Sequence, residues 1–265
     1  MSRLQPGQMP IGVMDSGVGG ISVLAALTRE LPEENFLYYA DFAHVPYGTK
    51  PVEEIRCCVD DVVDILMQRG IKALVIACNT ATAAAAAGLR ARLTLPIIGI
   101  EPALKPAAQM RRGGAVLVLG TPATLALPKF QRLMDRYGEG AIPLPCPGLM
   151  ELVEAMDWQG AEDYLCRLLL PYAQTQVDAV VLGCTHYSFL RPLLRPLLPA
   201  DTLLMDGNQG TARQLRHVLE GEGLLHHAPA PGVAWLYSGQ EAGQVERMEQ
   251  FYRIAKEAAL EPSID

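Results

Sequence analysis

"VIACNTATAAAAAG" (75–88) and "DAVVLGCTHYSFL" (178–190) share one layout: an apolar run, a cysteine, a short polar stretch, then a second apolar or helical run. In the first, Cys78 is followed by Asn79, Thr80 and an alanine-rich segment; in the second, Cys184 is followed by Thr185 and His186. A short β-branched run passing into helical sequence is half of a βαβ unit. Met twice with a thiol at the same point, it raises two questions: whether the whole chain is built this way, and what the thiols do.

Nine such runs recur, at 11–15, 35–41, 73–78, 96–100, 115–120, 141–144, 179–184, 202–206 and 232–237. Most are continuously apolar, as strands covered on both faces must be, and amphipathic segments lie between them. In "PVEEIRCCVDDVVDILMQRG" (51–70), Ile55, Val59, Val62, Val63 and Leu66 fall on one face, with Cys58 beside them as ordinary packing. The chain also repeats itself. A shift of 105 residues lays Asp15 on Gly120, Ser16 on Thr121 and "LYYAD" (37–41) on "IPLPC" (142–146). A shift of 106 lays Cys78 on Cys184 and "IIGIE" (97–101) on "LLMDG" (203–207). Four consecutive strand ends superpose, which points to an internal duplication. The expected fold is α/β: two similar open parallel-sheet domains related by a pseudo-two-fold, with the active site in the cleft between them.

Bulk properties narrow the function classes. The 265 residues are half apolar and carry a net charge of −7, so a nucleic-acid partner, which wants a basic face, is not expected. "MSRLQPGQMP" has no apolar segment of a secretory signal, and no run approaches the roughly 18 apolar residues of a membrane span. A cytoplasmic chain with reduced thiols is the expectation, and the six cysteines are not read as a disulfide framework. Metal ligation is not expected either: there is no CxxC, and Cys184 with His186 has no matching second pair.

In open parallel sheets, ligands bind at the carboxyl ends of strands, beside the helices that follow. Asp15, Ser16, Cys78 to Thr80, Thr121, Thr124 and Cys184 to His186 all fall there. Free N–H groups at a helix start favour an anionic substrate, and the same field is expected to lower a cysteine pKa. In "MDSGVGGISVL" a dinucleotide fingerprint would want glycine at position 22, which holds Ser22, and no phosphate-loop lysine is present. Gly17, Gly19 and Gly20 are read instead as a tight turn beneath a small ligand, with Asp15 aimed into the cleft. Two thiols approaching a substrate from opposite sides suit the inversion of a carbon acid's stereocentre. One group removes a proton from one face, and the other delivers a proton to the opposite face.

In order and spacing, "DSGVGG" (15–20), "ADFAHVPYG" (40–48), "ACNTAT" (77–82), "GTPAT" (120–124) and "GCTHY" (183–187) resemble the glutamate racemases. These belong to the cofactor-independent aspartate/glutamate racemase superfamily, and the resemblance spans Pro10 to about Ala212. It implies interconversion of L- and D-glutamate for peptidoglycan precursors, with no pyridoxal phosphate or metal. By the same resemblance Cys78 serves D-glutamate and Cys184 serves L-glutamate. Asp15 and His186 assist the respective thiols, and Glu154 is a further acidic group. Asp15, Ser16, Tyr47, Gly48, Asn79, Thr80, Thr121, Thr124 and Thr185 match substrate-holding positions. Two domains follow, 1–99 with 208–265 and 100–207, the tail packing back on the first. Departures are Gly207, where Ser is frequent, and Glu151, where Pro is frequent. His44 has no assigned role, and His217, His226 and His227 are read as solvated.

The nearest rival is a racemase of aspartate or another acidic amino acid with the same thiols. Aspartate-specific members tend to carry His after "CNTA" and Glu after "GCT", whereas Thr82 and His186 stand here. A protein that binds an acidic amino acid without turnover is a rival of another class, but it has no use for two opposed thiols. The sequence leaves the oligomeric state open between monomer and homodimer, and carries no signal for activation by a muropeptide precursor or for binding of DNA gyrase.

Overall fold

A computed structural model describes residues 6–258 apart from 227 and 229. Strands β1 (Ile11–Asp15), β2 (Phe36–Ala40), β3 (Ala73–Ile76) and β4 (Ile97–Gly99) are joined through helices α1 (Ile21–Glu30), α2 (Val52–Gln68) and α3 (Asn79–Arg92). After α4 (Leu104–Met110) come β5 (Ala115–Gly120), helices α5 (Pro122–Ala126) and α6 (Pro128–Tyr137), and β6 (Ala141–Pro145). Helices α7 (Leu149–Glu154) and α8 (Trp158–Leu169) lead to β7 (Val177–Leu182), and α9 (Arg191–Leu194) precedes β8 (Leu203–Met205). The chain then runs through α10 (Asn208–Gly221) and β9 (Val233–Tyr237) to α11 (Gln244–Ala258). The described strand pairings are all parallel, and β1, β2 and β3 are buried along their whole length, as continuous apolar runs require.

The two sheets repeat one another. The first has the order β4-β3-β1-β2-β9, and the second, read the same way, β8-β7-β5-β6. Ile11 pairs with Phe36 and Ala73, and Val116 pairs with Ala141 and Ala179, so the register recurs at the 105- and 106-residue shifts of the sequence. Strands predicted at 73–78 and 179–184 stop at Ile76 and Leu182, two residues before each cysteine. One further backbone bond follows each strand, Ala77 N–H to Met14 O and Gly183 N–H to Leu119 O. Both thiols therefore stand at the same step beyond equivalent strand ends.

The helices follow their amphipathic patterns. On α2, Ile55, Cys58, Val59, Val62, Val63 and Leu66 are buried, as expected for its apolar face. The C-terminal segment adds β9 beside β2 and lays α11 against α1. His217 is exposed and His226 partly so, while His227 lies outside the described residues. Gly207 has a physical reason: a Cβ there would lie 2.3 Å from the Glu101 carbonyl oxygen. Glu151 is exposed on α7 and disturbs nothing.

Candidate active site

A small cavity of about 20 Å³ lies where the carboxyl ends of the two sheets meet. From the first sheet it is lined by Ser16, Tyr47, Gly48, Cys78, Asn79 and Thr80, and from the second by Thr121, Met150, Cys184, Thr185 and His186. Asp15, Thr124 and Glu154 stand behind this lining. The structure thus gathers all the residues singled out from the sequence, ten as walls and these three as support.

The two thiols sit in unlike surroundings. Cys78 is the N-cap of α3, and its Sγ accepts from Ala81 N–H at 3.4 Å and lies 3.9 Å from Ser16 Oγ. The sequence-based expectation of a lowered pKa here is overturned. Burial, and then the neighbouring Asp15 carboxylate, push the Cys78 thiol well up, outweighing the Ala81 N–H. Burial also raises Asp15 above the usual carboxylate range, against the pull of His186. Asp15 Oδ2 accepts from Gly17 N–H at 2.9 Å, whereas Asp15 Oδ1 and Asn79 Oδ1 are buried with no hydrogen-bond partner.

Cys184 is followed not by an α-helix but by a 3-10 helix, Thr185–Leu190, so the dipole argument made for both cysteines applies only to α3. What faces Cys184 is a side-chain chain of contacts. His186 Nδ1 is 3.7 Å from Cys184 Sγ, and His186 Nε2 is 2.7 Å from Glu154 Oε1. Burial disfavours an imidazolium, but bonds to Cys184 and Glu154 outweigh it and raise His186 well above the ordinary histidine value. Burial likewise opposes ionisation of Glu154, yet His186, Arg247 and the Val18 N–H hold it below its ordinary value. Val18 N–H donates to Glu154 Oε1 at 3.0 Å, and Arg247 forms a short ion pair with Glu154 Oε2.

The glycines of "DSGVGG" are needed for close approach rather than for a turn under a ligand, which corrects the reading from sequence. None of the three has a positive φ. A Cβ on Gly17 would lie 2.0 Å from Glu154 Oε1, and one on Gly19 would lie 2.2 Å from His186 Nδ1. The first sheet's loop is bare so that the second sheet's polar groups can pack against its backbone. Gly48 plays a similar part opposite Thr121, whose Cβ would be 2.9 Å from an added methyl.

Between the sheets, Thr80 Oγ1 lies 3.2 Å from Thr121 Oγ1 and 2.9 Å from Thr124 Oγ1, three hydroxyls that satisfy one another. Tyr47 is held by its hydroxyl, which donates to Asp41 Oδ2 at 2.6 Å. His44 Nδ1 is 2.9 Å from Asp41 Oδ1, which also accepts from Ser238 Oγ at 2.6 Å. Donor atoms of Asp41, His44 and Cys58 lie within 4.8 Å of one another, and the bonds to Asp41 account for the cluster as a support beneath Tyr47. Sequence reasoning missed Asp41, Met150 and Arg247. Asp41 stood inside "ADFAHVPYG" without an assigned role, whereas Met150 and Arg247 lie outside every quoted motif, Arg247 in the C-terminal helix.

Comparison with known proteins bears on the chemistry. The family model of Asp/Glu/hydantoin racemases matches residues 11–215. A glutamate racemase of Clostridium perfringens is 44% identical over 237 residues, covering 88% of this chain and 91% of that protein. A glutamate racemase of Bacillus anthracis superposes with a TM-score of 0.83 at 32% identity, covering 92% of this chain and 94% of the other. The glutamate racemase of Escherichia coli, solved with L-glutamate and the activator UDP-MurNAc-Ala, gives a TM-score of 0.81 at 32% identity, covering 92% and 95%.

Proposed function

The chain belongs to the Asp/Glu/hydantoin racemase family and is an amino-acid racemase; from that premise we propose that it interconverts L- and D-glutamate, with Cys78 and Cys184 as the two acid/base groups. The observation that carries the proposal is that two buried thiols, on equivalent strand ends of two like sheets, line one cavity. A planar carbanion held between them can lose a proton on one face and gain one on the other, which a single base cannot easily do for a fixed substrate.

In the direction from L-glutamate, Cys184 removes the Cα proton and Cys78 delivers a proton to the opposite face. His186, 3.7 Å from Cys184 and charged through Glu154, is placed to hold negative charge on that sulfur and to exchange protons with it. On the other side the high pKa of Cys78 makes it a strong base once ionised and a thiol that keeps its proton otherwise. Asp15, itself raised, sits behind it as the group that shares that proton. The unpartnered Asn79 Oδ1 is an acceptor for the substrate ammonium, and the hydroxyls of Thr80, Thr121 and Thr124 are donors for carboxylate oxygens.

A cavity of about 20 Å³ holds roughly one water molecule, so substrate entry requires the two sheets to part. The polar contacts nearest the cavity that join the two sheets are the threonine cluster, Val18 N–H to Glu154, and Ser22 Oγ to Thr185 O, with Arg247 to Glu154 and Phe251 against Phe189 behind them. We take residues 1–99 with 208–265, and 100–207, as the two domains that move, and peptidoglycan precursors in the cytoplasm as the destination of D-glutamate. No helix among the described residues is long and apolar enough to cross a membrane.

The test is incubation of the purified protein with L-glutamate in deuterated buffer, following optical activity and Cα deuteration together. Loss of rotation with one solvent deuteron per inversion is the expected result. Binding of glutamate with neither change would leave the protein as a non-catalytic binder, and faster turnover of aspartate would move it to the rival substrate.

A further inference from the structure

Arg247 lies on α11, 93 residues from Glu154 in sequence, yet its guanidinium meets both the Glu154 carboxylate and the Glu154 backbone carbonyl in short hydrogen bonds. The same guanidinium stands 5.3 Å from the ring centroid of Phe42, in the loop after β2, and Nη1 donates to Gln244 Oε1 at 3.3 Å. Helix α11 is anchored by buried Met248 and Phe251, the latter edge-on to Phe189 with ring centroids 5.0 Å apart. Glu154 therefore uses both oxygens: Oε2 for Arg247, and Oε1 for His186 and Val18 N–H. The other titratable groups whose charge acts on this site are Asp15 and Tyr38, both fully buried on the first sheet.

We propose that Arg247 is a positioning residue for the Cys184 half of the site: it holds Glu154 as an ionised carboxylate with Oε1 turned to His186, and so keeps a charged imidazole against Cys184. The proposal rests on the two-thiol reading above. Its physical content is the competition at Glu154. A carboxylate this enclosed takes up a proton unless cations face it, and a protonated Glu154 no longer holds the imidazolium. His186 satisfies one oxygen, and Arg247, stacked on Phe42, satisfies the other. Among the described residues no arginine or lysine acts on Asp15, whose facing cation is His186, so the two thiols are supported differently although their strands are alike.

The effect is confined to one thiol, but rates cannot show that directly. L- and D-glutamate are equally stable in water, so kcat/KM must stay equal in the two directions whatever is mutated. Labelling resolves the halves. The full-length Arg247→Gln and Arg247→Lys variants are compared with the parent in the pH profile of kcat/KM, and in iodoacetamide alkylation of Cys78 and Cys184 followed peptide by peptide. With Arg247→Gln, Glu154 protonates more easily, so the acid limb is expected to move up by about one pH unit. Followed along the same pH series, the ratio of Cys184 to Cys78 alkylation is expected to fall on the displaced acid limb, because the change reaches Cys184 through His186 and leaves Cys78 untouched. Arg247→Lys keeps the charge but not the planar fork, so its acid limb is expected to move less than about half as far as that of Arg247→Gln.

An unmoved acid limb and labelling ratio in Arg247→Gln overturns the proposal. So does equal loss of labelling at both thiols, which marks a general loosening of α11. A folded Arg247→Lys protein whose acid limb moves by about a full pH unit or more overturns it even where the Gln variant does not fold. Racemisation at the parent rate by Cys184→Ser would instead remove the underlying two-thiol reading, and neither Arg247 variant mimics that result.

Discussion

Replacing Gly19 with alanine puts a methyl group into the space of His186. The added Cβ would stand 2.2 Å from His186 Nδ1, 2.5 Å from its Cε1 and 2.6 Å from Thr185 Oγ1. Ordinary contact begins near 3.4 Å, so the ring must withdraw by about 1.2 Å, or the two sheets must part by a similar amount. The ring is not free to withdraw, because Nε2 is tied to Glu154 at 2.7 Å and Nδ1 faces Cys184 at 3.7 Å. A misplacement of this size costs about 100-fold in rate, and overpacking costs about 1–3 kcal/mol in stability. Circular dichroism at fixed glutamate concentrations gives kcat and KM, and a thermal melt gives Tm. We expect kcat to fall by about two orders of magnitude with a drop of a few degrees in Tm. Gly88→Ala is the matched control: it lies exposed in α3 with nothing within 4 Å of an added Cβ. That change should leave kcat alone and raise stability by about 0.5–1 kcal/mol. A Gly19→Ala protein with kcat within about twofold of the parent would refute the packing of His186 against this loop.

Cys78→Ser and Cys184→Ser should each fold and bind substrate yet lose racemisation in both directions, chiefly in kcat, and inversion by either at the parent rate would end the two-thiol mechanism. Glutamate should be preferred over glutamine and aspartate by at least about 100-fold in kcat/KM, measured by polarimetry on each amino acid in turn. Stability should depend on pH through His186. An imidazole whose folded pKa lies above its ordinary 6.5 stabilises the fold fully below that value, and the stabilisation is lost as pH rises through the folded pKa. Tm should therefore decline on the alkaline side, and a His186→Gln variant showing the same decline would assign it to another group.

The order of elements and the location of the site were legible in the sequence, because both are local. Continuous apolar runs such as Ala73–Ile76 leave no solvated face, which forces a covered parallel sheet, and the motifs at their ends fall where such sheets bind ligands. The duplication was legible too: the 105- and 106-residue shifts return as the registers Ile11 with Phe36 and Val116 with Ala141. What only the tertiary structure decided depends on groups brought together from distant parts of the chain. Arg247 carries no signal in its own neighbourhood, and it matters because α11 folds back onto Glu154. Gly17 and Gly19 read as turn residues until Glu154 and His186 of the other sheet were set against them. The expected lowering at Cys78 considered only the start of its own helix, whereas the protonation of a buried group is set by everything around it. The closing of two sheets and the Asp15 carboxylate outweigh one N–H, because desolvation grows with enclosure and a peptide dipole does not.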